Sequence, residues 1–94
     1  MLHIDMTVKI ISAALKVGRL IVSLPAPARH HHVIYELCSV TGRSSEGHGN
    51  QGFLTNEGKF VGRREAIDIA RQNGQLLGEP TDGSGFQLYS EDLW

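Results

Sequence analysis

Apolar positions crowd the first quarter of the chain. Met-Thr-Val-Lys-Ile-Ile-Ser-Ala-Ala-Leu (6–15) is rich in β-branched side chains, and Arg-Leu-Ile-Val-Ser-Leu (19–24) repeats that character. This predicts an antiparallel hairpin turning at Lys16-Val17-Gly18. Pro25 and Pro27 end the second strand, since proline offers a ladder no amide hydrogen and holds its predecessor extended. The same prolines can open a helix. Val33, Ile34, Leu37 and Val40 are spaced as one apolar face, which predicts a helix over 28–40 with Gly42 as its stop. On it His31 falls beside Tyr35, and His32 beside Glu36, because positions four apart are stacked neighbours.

Polar and glycine-rich sequence follows from 42 to 52, and nothing in it fills a core, so a loop is expected. Gly-Phe-Leu-Thr (52–55) and Lys-Phe-Val (59–61) read as a second hairpin around Asn56-Glu57-Gly58, with glycine where a left-handed residue is needed. Ala66, Ile67, Ile69 and Ala70 give the apolar face of a second helix over 63–73, stopped by Gly74. After a turn-rich stretch, Phe86-Gln-Leu-Tyr-Ser90 alternates like a last strand. The expected fold is α+β: one domain over 1–94, a small antiparallel sheet with two helices in the order ββαββαβ. The ββα pattern occurs twice, but its two copies share too little identity to be a repeat.

Composition narrows the functional classes. With 40% hydrophobic and 20% charged residues, the chain has the balance of a globular domain. A formal charge of -1 gives no global field for a nucleic-acid backbone or an anionic membrane, so any bound anion must be held locally. The charge is uneven. Lys9, Lys16, Arg19, Arg29 and Arg43 lie in the first half, while Glu79, Asp82, Glu91 and Asp92 make the end acidic. Cys38 is the single cysteine, which excludes an internal disulfide and a Cys-rich zinc site and suits a reducing compartment. Asp5 and Lys9 interrupt the apolar start, so no signal-peptide core is present, and no run approaches the ~18 apolar residues of a membrane span. A cytoplasmic protein is expected.

Arg29-His30-His31-His32 is the sharpest candidate for chemistry. Three adjacent imidazoles in a helix's first turn point in different directions, so they cannot share one task. Two of them, with Arg29 and the free amides of the helix start, can form an anion site: amides and guanidinium hold phosphate oxygens while imidazoles transfer protons. The competing reading is histidines that pack or lie in water. His32 and Glu36, with His48, suggest a metal site only weakly, and His-Glu-x-x-His is absent; neither metal nor cofactor is expected. Gly47-His-Gly-Asn-Gln-Gly52 matches GxGxxG, but a strand follows it where that fingerprint opens a helix, so a dinucleotide fold is set aside.

Lys59, Arg63 and Arg64 stand where the second helix begins, a position whose dipole disfavours cations unless they face an anion; a solvated turn is the plainer alternative. Tyr89-Ser-Glu-Asp-Leu-Trp94 carries two large aromatic groups, as expected of a segment docked on the core, which would bring Glu91 and Asp92 near the cationic residues. A hydrophobic latch without chemistry explains it as well. No nucleophile elbow, P-loop or cysteine–histidine signature is present.

Ser23-Leu-Pro-Ala-Pro-Ala-Arg-His-His, Gln51-Gly-Phe-Leu-Thr, Gly58-Lys-Phe-Val-Gly-Arg-Arg-Glu-Ala66, Gly74-Gln75 and Leu88-Tyr-Ser-Glu-Asp-Leu-Trp94 together resemble a family of small bacteriophage proteins. The resemblance implies a context: small phage accessory proteins often counter host defence, some by sequestering or degrading nucleotide second messengers. The expectation is a phage counter-defence protein of the host cytoplasm that binds a small nucleotide signal, with its cleavage by a metal-independent phosphodiesterase chemistry left open. His30 and His31 would be base and acid; Arg29, Tyr35, Lys59, Arg63, Glu91 and Asp92 would contact the ligand. A non-enzymatic nucleotide sponge is the first alternative. A protein-binding inhibitor of a host enzyme, using Trp94 and the 42–52 loop, is the second, and a structural oligomer the third. Neither long nucleic acid nor membrane is an expected partner; a homo-oligomer is left open.

Overall fold

A computed structural model of the chain describes residues 8–41 and 50–94. The first hairpin consists of β1 (Ile10–Val17) and β2 (Leu20–Pro25), with Val17 opposite Leu20. Its turn is therefore Gly18-Arg19, later than expected: Lys16 and Val17 continue the strand, and Gly18 takes the positive φ of 62° that a tight hairpin requires. The predicted strand start at Met6, the Gly42 stop, Arg43, His48 and the 42–49 part of the loop lie outside the described residues.

Helix α1 (His30–Thr41) begins two residues later than its spacing suggests, because the Ala28 amide closes a turn onto the Pro25 carbonyl at 3.0 Å. The second hairpin matches expectation, with β3 (Asn50–Thr55), β4 (Phe60–Gly62) and Gly58 at φ 81° between them. Helix α2 (Arg63–Gln72) follows β4 without a linker.

All four strands pair antiparallel in the order β2-β1-β3-β4. Ala13 lies opposite both Leu24 and Phe53, and Phe53 opposite Val61, so these residues share one face. A register shift between Ile10 and Ser12 returns Ile10 to that face, where it pairs with Thr55. Both helices cover it. Val33 of α1 packs with Ala13 and Leu15, while Ala66, Ile67 and Ala70 of α2 pack with Phe53, Val61 and Ile10. Phe53 is fully buried at the centre, worth about 1.5–3 kcal/mol in transfer free energy.

Gly74-Gln75 explains how α2 is tied back to the sheet. Gly74 leaves the helix at φ 65°, and the Gln75 amide then bonds Ile10 in both senses, accepting from its N–H at 3.0 Å and donating to its carbonyl at 2.8 Å.

The class and the order ββαββα are as the sequence reading has them, but the segment expected as a seventh element, a strand over 86–90, pairs with no strand. Leu88 donates its N–H to Arg63 at the start of α2, and a 3-10 turn (Ser90–Asp92) follows. The alternation that suggested a strand is genuine, with Leu88 and Ser90 buried and Phe86 exposed. Its inward side meets a helix end instead of a sheet edge. Asp92 holds the turn, accepting from the Tyr89 and Thr81 amides at 2.9 and 2.7 Å and from the Thr81 hydroxyl at 2.6 Å.

Gly52 admits no side chain. A Cβ there would overlap the Val61 carbonyl oxygen and come within 2.5 Å of the Phe60 ring. Gly52→Ala is expected to destabilise the fold by about 1–3 kcal/mol, the usual range for overpacking. Gly78→Ala, with nothing within 4 Å of the added carbon, should stay within about 0.5 kcal/mol. Urea denaturation of both variants checks the pair.

Candidate functional site

The first turn of α1 is organised by its own histidines. Arg29 precedes the helix, its carbonyl accepting from the His32 and Val33 amides at 3.0 and 3.2 Å. In return the Arg29 N–H donates to His32 Nδ1 at 2.8 Å, so His32 caps the helix start as a third-position glutamate does in a capping box. His32 is thereby a structural residue. His31, exposed, lies against it with ring centroids 4.0 Å apart.

His30 points the other way, into the core. It is buried, its ring edge-on to Phe53 at 4.9 Å, and its Nε2 lies 2.7 Å from the Gly52 carbonyl. A carbonyl only accepts, so Nε2 carries the proton and Nδ1 is the nitrogen left to take one. Burial lowers the His30 pKa from the ordinary 6.5, and the Arg63 charge adds to this; the Gly52 hydrogen bond and Glu91 act in the opposite sense without overcoming it. His30 is a neutral imidazole at pH 7.

Arg63, the first residue of α2, reaches across to the tail. Its guanidinium donates to the Leu88 carbonyl at 2.6 Å and to Gln51 Oε1, and its Cζ stands 4.4 Å from the Tyr89 ring centroid. Burial, the chief cause, lowers its pKa from the ordinary guanidinium value, and the group stays a cation. Arg29 holds the tail from the opposite side: Nη2 donates to the main-chain oxygen of Trp94, and the Trp94 indole N–H returns a bond to the Ala28 carbonyl at 3.0 Å. The other terminal nitrogen, Nη1, is buried without a hydrogen-bond partner; Glu91 Oε1, at 4.0 Å, supplies only a Coulombic contact.

These groups meet. Arg29, His30, His31, Gln51, Arg63, Tyr89, Ser90 and Glu91 line one cavity of about 320 Å³. The structure thus brings together Arg29, His30, His31, Arg63 and Glu91 of the residues singled out from sequence, and leaves three elsewhere. Lys59 pairs with Glu65 at 3.3 Å beside a different cavity. Tyr35 is three-quarters exposed, on the outside of α1. Asp92 is spent on the tail's own turn. Among the described residues it is the Gly52 carbonyl, not a carboxylate, that bonds the His30 ring.

Gln51, Tyr89 and Ser90 were not anticipated as lining residues. Gln51 opens a motif whose glycine and phenylalanine draw attention first, and only the partner of Arg63 gives it meaning. Among the described residues no group of three or more His, Cys, Asp or Glu is placed to hold a metal ion, and no helix is long and apolar enough to cross a membrane.

Residues 9–94 match the family described as Phage T4 y16D protein, and the chain belongs to that family. No curated protein and no solved structure matches it.

The buried neutral His30 ties stability to pH. Its folded pKa lies below the unfolded value of 6.5, so above that pH neither state binds the proton and stability is full. As pH falls through 6.5 the unfolded chain takes up a proton that the fold resists, and stability declines by up to about 1.4 kcal/mol per unit until the folded pKa is reached. His30→Gln should flatten this slope. Asp82, whose pKa is lowered first by the Ser84 hydroxyl bond, acts in a separate window below 3.8. Urea midpoints at pH 7.5 and 5.5 for both chains test the assignment.

Proposed function

We propose that this phage-family protein binds a small phosphorylated nucleotide, a signal of the host's defence, in the cavity at the start of α1, and acts there as a counter-defence protein in the host cytoplasm. One observation carries the reading: Arg29, His30, His31 and Arg63 line a single cavity of about 320 Å³. In a chain of net charge -1, such a cluster is a local anion site, not part of a general basic surface. Two guanidiniums and a helix N-terminus suit phosphate oxygens. Arg29 Nη1 is the donor without a partner, and Glu91 at 4.0 Å is the carboxylate a phosphate would compete with.

Binding without turnover, a sponge, is the simpler form of this function. Cleavage is the second reading, favoured by the free Nδ1 of a neutral imidazole in the same cavity as an exposed one. In it His30 Nδ1 accepts the proton of a ribose 2′-hydroxyl, whose oxygen attacks phosphorus. The bond to the departing oxygen breaks as His31 protonates that oxygen, and Arg63 offsets the charge of the pentavalent state.

Incubation with a panel of cyclic mono- and dinucleotides and ADP-ribose derivatives, followed by chromatography of free and heat-released material, tests both. Intact nucleotide released only by heat means sequestration; new products mean cleavage; unchanged free nucleotide throughout would sink the proposal. Arg29→Ala should weaken binding about 10- to 100-fold, the scale of a lost charged hydrogen bond. Glu91→Gln should strengthen it several-fold. If products form, His30→Ala and His31→Ala should each abolish them, and full turnover in both would exclude the acid–base pair.

A further inference from the structure

Gln51 and Arg63 have a second set of neighbours. With Asn50, Phe60, Arg64 and Gln87 they line another cavity, of about 430 Å³, that shares only these two residues with the first. The Phe60 ring lies over Gly52, where β3 offers no side chain, and remains half-buried. Gln51 gives its carbonyl oxygen to Arg63, and Gln87 gives its own to the Tyr89 hydroxyl at 3.4 Å. In both amides the NH₂ group is the end that these bonds leave unused. Arg64 makes no ion pair among the described residues; its guanidinium lies 5.3 Å from the Phe86 ring.

An aromatic face beside several carboxamides has the composition of a nucleobase pocket, stacking from one direction and hydrogen bonding from another. The polarity of the donors selects the base. Guanine presents two acceptors, N7 and O6, on its major-groove edge, whereas adenine presents one acceptor and the N6 amino donor. A glutamine reads adenine with both ends of its amide, and Gln51 has its oxygen already committed. Arginine matches guanine with paired donors, and Arg64 is free to do so.

We infer that the second cavity is a base subsite selecting guanine over adenine, for a nucleotide whose phosphate sits on the far side of Arg63. This rests on the phosphate-binding reading above. It adds the identity of the base and a role for Asn50, Gln51, Phe60, Arg64 and Gln87, which that reading does not use.

Calorimetric titration with 3′,5′-cyclic GMP, 3′,5′-cyclic AMP and ribose 5-phosphate separates the two claims. Cyclic GMP should bind at least about tenfold tighter than cyclic AMP, with ribose 5-phosphate weaker still. Phe60→Leu keeps an apolar cover over Gly52 while removing the aromatic face, and Arg64→Ala alters an exposed helix position. Each should cost about tenfold for cyclic GMP and leave ribose 5-phosphate unchanged. Should Phe60→Leu fail to fold, Arg64→Ala decides on the same scale. Equal binding of both cyclic nucleotides, or a preference untouched by Arg64→Ala, overturns the base subsite and leaves the phosphate site standing. Absence of binding by all three probes also overturns the base subsite, while the phosphate site stands or falls by the full nucleotide panel above.

Discussion

The side chain of Arg63 is the constraint on which both cavities depend. A cation at the first position of a helix opposes the dipole, and Arg63 is held there by what it joins: Gln51 of β3, the Leu88 carbonyl and the Tyr89 ring. The backbone closes the same link, since Leu88 donates to the Arg63 carbonyl at 3.0 Å. This clamp joins the tail to α2 beside the Ser90–Asp92 turn, which Asp92 holds and which Arg29 secures from the other side through Trp94. Arg63 is thus an internal fastening that also lines each cavity.

Arg29 and His30 carry out the matching task at α1. Arg29 is bonded at its amide, carbonyl and one terminal nitrogen, yet retains Nη1 unsatisfied. His30 is fastened through Nε2, which orients Nδ1. In each case structural bonds take part of a polar group's capacity and orient the remainder, which is how a site is preorganised. The cost is borne by the core: a desolvated imidazole edge-on to Phe53 is tolerated because the Gly52 carbonyl accepts a hydrogen bond from its Nε2.

Much of this architecture was legible in the chain. The elements through α2 follow from apolar spacing and from glycines at 18, 58 and 74, each of which has positive φ. The last segment was misread because alternation registers burial on one side, not the partner that covers it; Leu88 is buried against a helix end just as it would be in a sheet. Among the histidines, position within a helical turn showed that they must diverge, but not which one turns inward. That depends on the Gly52 carbonyl, 22 residues away, being placed to accept from His30. Lys59 looked equivalent to Arg63 by charge and neighbourhood, yet it extends beyond the hairpin to Glu65. Side-chain reach decides such cases, and composition carries no record of it.

The distribution of charge also bears on the size of any ligand. A protein that tracks a nucleic-acid backbone gains affinity from many cations in register with successive phosphates. Here Arg29 and Arg63 are sunk into a cavity that Glu91 also lines, its side chain more than half exposed. A polymer would have to bring further phosphates past that carboxylate, whereas a compact ligand meets Glu91 once and gains both guanidiniums. On the proposed reading, this placement would favour a small anion over a long one, with a formal net charge of -1 that attracts neither from a distance.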